Sequence, residues 1–317
     1  MPITINGTSG LSLAGQFDSA STFGFKNRII NGQMQIAQRA TSATITAGST
    51  IAAGYSTVDR FYVYCTGANV TAAQVAGSGA TKNRLQITGA ASVTAVGIGQ
   101  RIEQLNSYDM AGSTATLSVD ISNSLLTSVT WTAYYANTAD TFGTLASPTR
   151  TQIATGTFTV TSTLTRYSTQ ISIPAAATTG IEVVLTVGAQ TSGTWVIGNV
   201  QLEKSSIATS FDYRPYTTEF QLCSRYFQIY GGQGGAPNFQ GYGSGDMNTV
   251  YPLPVEMRVT PTGTTSGVWA KSNCGDPTMV HSGTTAITIR VVVTSLGKFE
   301  VYPSGSPLGK VNLFSEL

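Results

Sequence analysis

The chain has 317 residues, enough at ordinary domain sizes for two compact domains and a short terminal segment. Its hydrophobic fraction of 41% can build real cores. Charged residues reach only 10%, against about 25% in globular chains, and Thr, Ser, Gly, Asn and Gln carry the polarity, which favours strands and turns. A net charge of +2, with no basic block, argues against nucleic-acid binding, and no acidic run marks a polyanionic tail.

Taken in chain order, residues 1–26 come first. MPITINGTSGLSLAG lacks the cationic-then-apolar pattern of a secretory signal. No stretch of about 18 apolar residues follows anywhere, so no membrane insertion is expected. Met1–Lys26 is polar and too short for a core of its own, so a partner orders it or it stays loose. Period-two alternation begins beyond it. ATLSVDIS sets Leu117, Val119 and Ile121 against Thr116, Ser118 and Asp120; VTWTAYYA sets Val129, Trp131, Ala133 and Tyr135 against Thr130, Thr132 and Tyr134. GTFTV and IEVVLTV repeat the pattern, and turn-prone stretches such as Ala136–Asp140 and Pro174–Gly180 separate the strands. Such spacing predicts an all-β jelly-roll sandwich over residues 27–216. WVIGNVQLE closes it, with Val196, Gly198, Val200 and Leu202 expected on one face and Asn199, Gln201 and Glu203 on the other.

Thr218–Gln228 then reads as a short connecting helix, capped by Thr217 or Thr218, with Phe220, Cys223 and Phe227 on one side. The glycine-rich stretch Gly231–Gly245 reads as a mobile or tightly turning loop. Alternation returns in AITIRVVV and KFEVYP, which predicts a smaller β-sandwich-like domain over residues 217–317. Cys65, Cys223 and Cys274 are odd in number and far apart, and read as free thiols of a chain that folds in a reducing cytosol.

Certain motifs add a resemblance. NRIINGQMQIAQR (Asn27–Arg39), VDRF (Val58–Phe61), GQRIEQL (Gly99–Leu105), IGNVQLEKSSIATSFDYRPY (Ile197–Tyr216) and LCSRYF (Leu222–Phe227) follow one another as in phage and prophage tail-fibre proteins. The chain thus resembles bacteriophage tail-fibre, receptor-binding proteins, whose jelly-roll portion is similar to carbohydrate-binding modules. ITINGTSGLS is similar to tail-attachment segments, and VEMRVTPTG (Val255–Gly263) to tip domains. The resemblance implies a homotrimer, a virion tail or baseplate protein holding residues 1–26, and a distal part meeting a host-surface polysaccharide or lipopolysaccharide. It transfers no catalytic residue. Asn27, Arg28, Asn31 and Arg39 are expected to satisfy backbone groups at a strand end. Val184, Val292 and Tyr302 interrupt otherwise polar faces, where a partner chain could cover them; internal packing is the alternative.

Chemistry-bearing residues are sparse. His281 is the single histidine, which excludes a multi-histidine zinc site within one chain, and VHSGTT reads as a loop without a nucleophile elbow. Asp109, Asp120, Asp140, Glu182 and Asp246 are the isolated carboxylates from which a glycan-cleaving pair could be drawn, and each reads better as a turn or solvated position. No phosphate cradle, calcium loop or cofactor motif is present. Sugar binding asks for aromatic faces beside amides, hydroxyls and carboxylates. Trp131, Tyr134 and Tyr135, with Asn137 and Asp140, form one candidate cluster, in which alternation turns Trp131 and Tyr135 inward and leaves Tyr134; Tyr230, Phe239, Tyr242, Tyr251 and Trp269, with Asn238, Gln240, Asp246 and Asn248, form the other, read as exposed tip loops. The resulting expectation is a non-catalytic, trimeric glycan adhesin, with a purely structural tail or baseplate component and a glycan-cleaving spike as alternatives.

Overall fold

The structure, a computed structural model, describes residues 4–6, 10–12, 25–48, 55–231, 239–304 and 306–317. At the start, β1 (Thr4–Asn6) pairs antiparallel with β2 (Gly10–Ser12). Beyond them the chain divides into two compact units, one running to Tyr216 and the other over Thr217–Glu316.

The first unit is a two-sheet antiparallel jelly-roll sandwich. One sheet has five strands: β4 (Tyr62–Thr66), β7 (Ala95–Ile102), β9 (Ser128–Ala136), β10 (Arg150–Thr159) and β12 (Ile181–Val187). Their spatial order is β10-β9-β12-β7-β4. The other sheet has six: β3 (Ser42–Ile45), β5 (Val70–Ala76), β6 (Asn83–Thr88), β8 (Thr114–Asn123), β11 (Thr165–Ser172) and β13 (Thr194–Glu203). These run β11-β8-β13-β6-β5-β3. The alternation read from sequence buries Leu117, Val119 and Ile121 of β8 and Val183, Leu185 and Val187 of β12 in the core between the sheets. Burying a side chain of this size contributes about 1.5–3 kcal/mol, so the stripes decide which face of each strand turns inward.

The closing strand departs from expectation. Trp195 and Ile197 enter the core rather than Val196, and Val200 and Leu202 follow, because a β-bulge shifts the register between Gly198 and Gln201. Asn199 sits at that bulge with φ +46°, a left-handed conformation that asparagine tolerates better than branched residues. Gln201 and Glu203, expected in solvent, are buried because the chain folds back over them: Gln201 Oε1 accepts from the Asp212 amide at 2.8 Å and Glu203 Oε1 from the Thr209 amide at 2.9 Å.

The expected roles of Asn27 and Asn31 are borne out. Asn31 (φ +60°) donates to the carbonyls of Ile36 and Asp59 and accepts from the amides of Gln35 and Ile36. Asn27 accepts from the amides of Ile29 and Leu202 and donates to the Val200 carbonyl. Arg28 and Arg39 pair with carboxylates, those of Asp109 and Asp59.

The second unit opens within α1 (Tyr216–Ser224), which starts two residues earlier than expected and ends sooner. Phe227 is not on it: β14 (Phe227–Gly231) takes that residue to pair with Phe314 of β20 (Lys310–Phe314), and Phe220 is exposed. A three-stranded sheet of β14, β20 and β16 (Thr262–Ser266) accompanies a second sheet. That sheet holds β15 (Phe239–Pro252), β17 (Val268–Ser272), β18 (Thr278–Ser282) and the long β19 (Ala286–Ser304), with a core of Ile287, Ile289, Val291, Phe299, Val301 and Leu313 among others. Residues 239–245, read as loop, are strand. Glycine suits them because a Cβ on Gly241 would stand 2.9 Å from the Phe299 ring lying across it. His281 likewise lies on β18, not in a loop.

Candidate functional site

The sequence-expected sites disperse. Phe239 and Trp269 are buried in the second unit's core, where no ligand can stack on them: Phe239 points inward from β15, and Trp269 lies on Gly309, whose Cβ would meet the indole at 2.5 Å. Tyr251 is half-buried, edge-on to Phe239 (centroids 5.7 Å apart) and Tyr230 (6.4 Å), and burial raises the pKa of its phenol. Tyr242, 73% exposed, stands opposite Lys298. Asp246 forms an exposed ion pair with Arg290 at 3.2 Å. Asn238 lies outside the described residues. Tyr134, on the outer face of the five-stranded sheet, has the Arg150 guanidinium 4.1 Å from its ring centroid, so one face is already covered. Asn137 accepts from the Thr151 hydroxyl and Asp140 from the Gln104 amide, both structural roles.

Sequence reasoning missed a buried cluster beside Tyr134. Glu182, expected in solvent, has 0% exposure. Its carboxylate accepts from the Tyr62 hydroxyl at 2.8 Å, from Arg101 Nε at 2.9 Å and from Arg150 Nη1. Burial first, then the Glu182 charge, pushes the Tyr62 phenol well above its ordinary pKa, against the opposing pull of Arg150 and Arg101. Burial pulls the Arg150 guanidinium down, but Glu182 and Tyr62 acting together more than offset it and hold the group above its usual value. Glycines in β7 make room for this: a Cβ on Gly99 would stand 2.2 Å from the Tyr62 hydroxyl, and one on Gly97 2.1 Å from the Tyr64 ring. Val184, expected to face outward, is buried here with Tyr62. With Glu182 sealed and engaged by three donors, the cluster braces the sheet and offers no open carboxylate to a substrate.

An open cleft of about 620 Å³ lies over the other sheet, lined by Asp120, Arg166, Ser168, Asn199, Phe211 and Tyr213 among others. Three adjacent strands build its floor. Register sets Arg166 of β11 beside Asp120 of β8, and Asp120 beside Gly198 of β13. Gly198 allows Arg84 of β6 to lie across β13, since a Cβ there would stand 2.7 Å from Arg84 Nη1. Arg166 Nη1 donates to Asp120 Oδ1 at 3.1 Å and to the Asn199 carbonyl at 3.0 Å, and its Nη2 to Ser118 at 2.6 Å. Asn199, turned outward by the bulge, donates to Asp120 Oδ2 at 2.7 Å and is held by Thr81. The fold-back segment supplies a wall: Phe211 and Tyr213 meet edge-on at 4.9 Å, and Tyr213 is 47% exposed. A second opening of about 620 Å³, over the five-stranded sheet, is lined by residues such as Leu126, Thr130, Thr186 and Val187, none of them charged or aromatic.

Among the described residues, no group of three or more His, Cys, Asp or Glu side chains is placed to hold a metal ion. No helix among them is long and apolar enough to cross a membrane. None of the three cysteines forms a disulfide, and Cys65 and Cys223 are buried.

Architecture and site together describe an all-β protein whose first unit is a sandwich with an aromatic-walled polar cleft. No family model matches the chain, and no curated protein does. Solved structures similar to it include the enzymatically active domain of tailspike protein 4 from bacteriophage CBA120, at 16% identity and a TM-score of 0.33, covering 56% of this chain and 21% of that one. A CBM4 carbohydrate-binding module is 12% identical (TM-score 0.36; 55% and 98% covered). A putative sugar-binding protein from Bacteroides thetaiotaomicron is 13% identical (TM-score 0.37; 56% and 100%). Likenesses at this level transfer neither ligand nor residue role to this chain.

Proposed function

We propose that this protein is a non-catalytic, glycan-binding subunit of a bacteriophage tail fibre, assembled as a homotrimer in the host cytoplasm and carried on the virion tail. Residues 1–26 attach it to a tail or baseplate protein, the second unit forms the distal part, and the ligand is a host-surface polysaccharide or lipopolysaccharide. The motif order from Asn27 to Phe227 supports the tail-fibre reading. Val250, Val292 and Tyr302, exposed on the second unit, offer apolar positions for neighbouring copies to cover.

The observation that carries glycan binding is the cleft: Tyr213 presents an aromatic surface beside Arg166, Asp120 and Asn199, an apolar wall next to fixed hydrogen-bonding groups, as a sugar ring requires. The binding surface therefore lies on the first unit rather than on the buried Phe239 and Trp269. Three copies on one fibre raise weak single-site affinity through avidity. Bacterial glycan arrays probed with the full chain test this. The expected result is binding to at least one surface polysaccharide without release of reducing ends, weakened about tenfold or more by Tyr213→Ala. Absence of binding to every glycan would favour a purely structural tail component, and released reducing ends would favour a cleaving spike.

A further inference from the structure

The cleft leaves charged donors without partners. Both oxygens of Asp120 are engaged, Oδ1 by Arg166 and Oδ2 by Asn199, with Arg84 Nη2 3.7 Å from Oδ2. Asn199 Oδ1 accepts from Thr81 at 3.0 Å, and its carbonyl is taken by Arg166. Each of these floor acceptors thus already holds a donor. Arg166 uses three of the five N–H groups a guanidinium carries. What remains is its Nε–H and one Nη2–H, and its side chain is 31% exposed.

Charge follows the same direction. On the floor, Arg84 and Arg166 face the single carboxylate of Asp120, and Arg84 Nη1 is buried without a hydrogen-bond partner. Behind the far wall, Lys26 and Glu203 both bond the Thr209 hydroxyl and cancel each other. Asp212 turns its carboxylate to the Asn27 amide at 3.3 Å. No anion in the lining answers the second guanidinium.

We propose that this cleft takes a carboxylate-bearing sugar, such as a uronic acid unit of a surface polysaccharide. The carboxylate sits on the free edge of Arg166, and the C–H face of the ring lies on Tyr213. This rests on the glycan-binding reading and narrows it to an acidic class. A neutral sugar would leave the donors of Arg166 without a strong acceptor, whereas a planar carboxylate matches them in charge and shape.

The test uses the full chain and calorimetry against galacturonate, glucuronate and mannuronate oligomers, each beside its carboxyl-reduced counterpart and a phosphorylated neutral oligosaccharide. The expected result is binding to at least one acidic oligomer, at least about tenfold tighter than to its reduced form. That preference should shrink as salt rises from about 0.05 to 0.5 M, a readout that needs no variant. Arg166→Lys, which keeps the charge and removes the fork, should abolish the preference. Equal affinity for acidic and reduced forms, binding of neutral oligomers alone, or preference for the phosphorylated probe would overturn the acidic-sugar assignment and leave glycan binding standing. Failure to bind any saccharide would remove both.

Discussion

Replacing Glu182 with Gln tests whether the buried cluster braces the first unit. The substitution preserves shape and removes one charge from a site with no solvent access. Arg101, whose side chain keeps only 4% exposure, would face a neutral amide, and Arg150, at 14%, would lose its carboxylate partner. Breaking a buried pair by removing one partner costs about 3–5 kcal/mol, because the remaining charge is left uncompensated. For a unit of this size, each kcal/mol lowers Tm by about 2–4 °C, so a fall of roughly 6–20 °C is expected. Guanidinium denaturation read by tryptophan fluorescence suits the measurement, since Trp131 and Trp195 report on the first unit. Arg150→Ala should cost less, about 1.5–3 kcal/mol, because Glu182 retains Arg101 and Tyr62. A loss below about 1 kcal/mol for Glu182→Gln, the value of an exposed pair, would show that the carboxylate is solvated and refute the reasoning.

Gly99→Ala would drive a methyl group into the Tyr62 hydroxyl, 2.2 Å from the ideal Cβ; a destabilisation of about 1–3 kcal/mol is expected, measured in the same denaturation experiment. Tyr62 also predicts alkaline behaviour. Its folded pKa lies above the ordinary 10.0, so its contribution to stability is complete below that pH and fades as pH climbs through the folded value. Tyr62→Phe should flatten the loss of stability above pH 10.0, followed by chemical denaturation across that range. Asn199→Val places a β-branched residue at φ +46° and removes the bond to Asp120; about 1–3 kcal/mol should be lost, and saccharide binding should weaken in parallel by calorimetry. Val292→Asp should shift the light-scattering mass from three chains toward one if apolar positions on this unit meet neighbouring copies, while an unchanged trimer would place the contact elsewhere.

Strand identity was legible because it is local. Leu117, Val119 and Ile121 alternate with Thr, Ser and Asp, and that alternation is enough to pick an inward face. The helix near Tyr216 was also visible, though not its end, because Phe227 is claimed by a pairing with Phe314, 87 positions further along the chain. The candidate sites were far less legible. Phe239 and Trp269 have the composition of a binding patch and the location of a core, and Glu182 has the composition of a solvated strand position with the location of a sealed ion cluster.

Composition and periodicity by themselves settled that this chain is built from antiparallel sheets in two β-rich parts, since a side-chain period of two and the scarcity of charge act residue by residue. Tertiary structure alone decided which polar groups meet. One extra residue at the bulge turns Asn199 outward, Gly198 lets Arg84 reach Asp120 across a strand, and the segment after Glu203 returns to wall the cleft. Each of these depends on cross-strand register and on chain segments distant in sequence, and neither is encoded in any local run of residues.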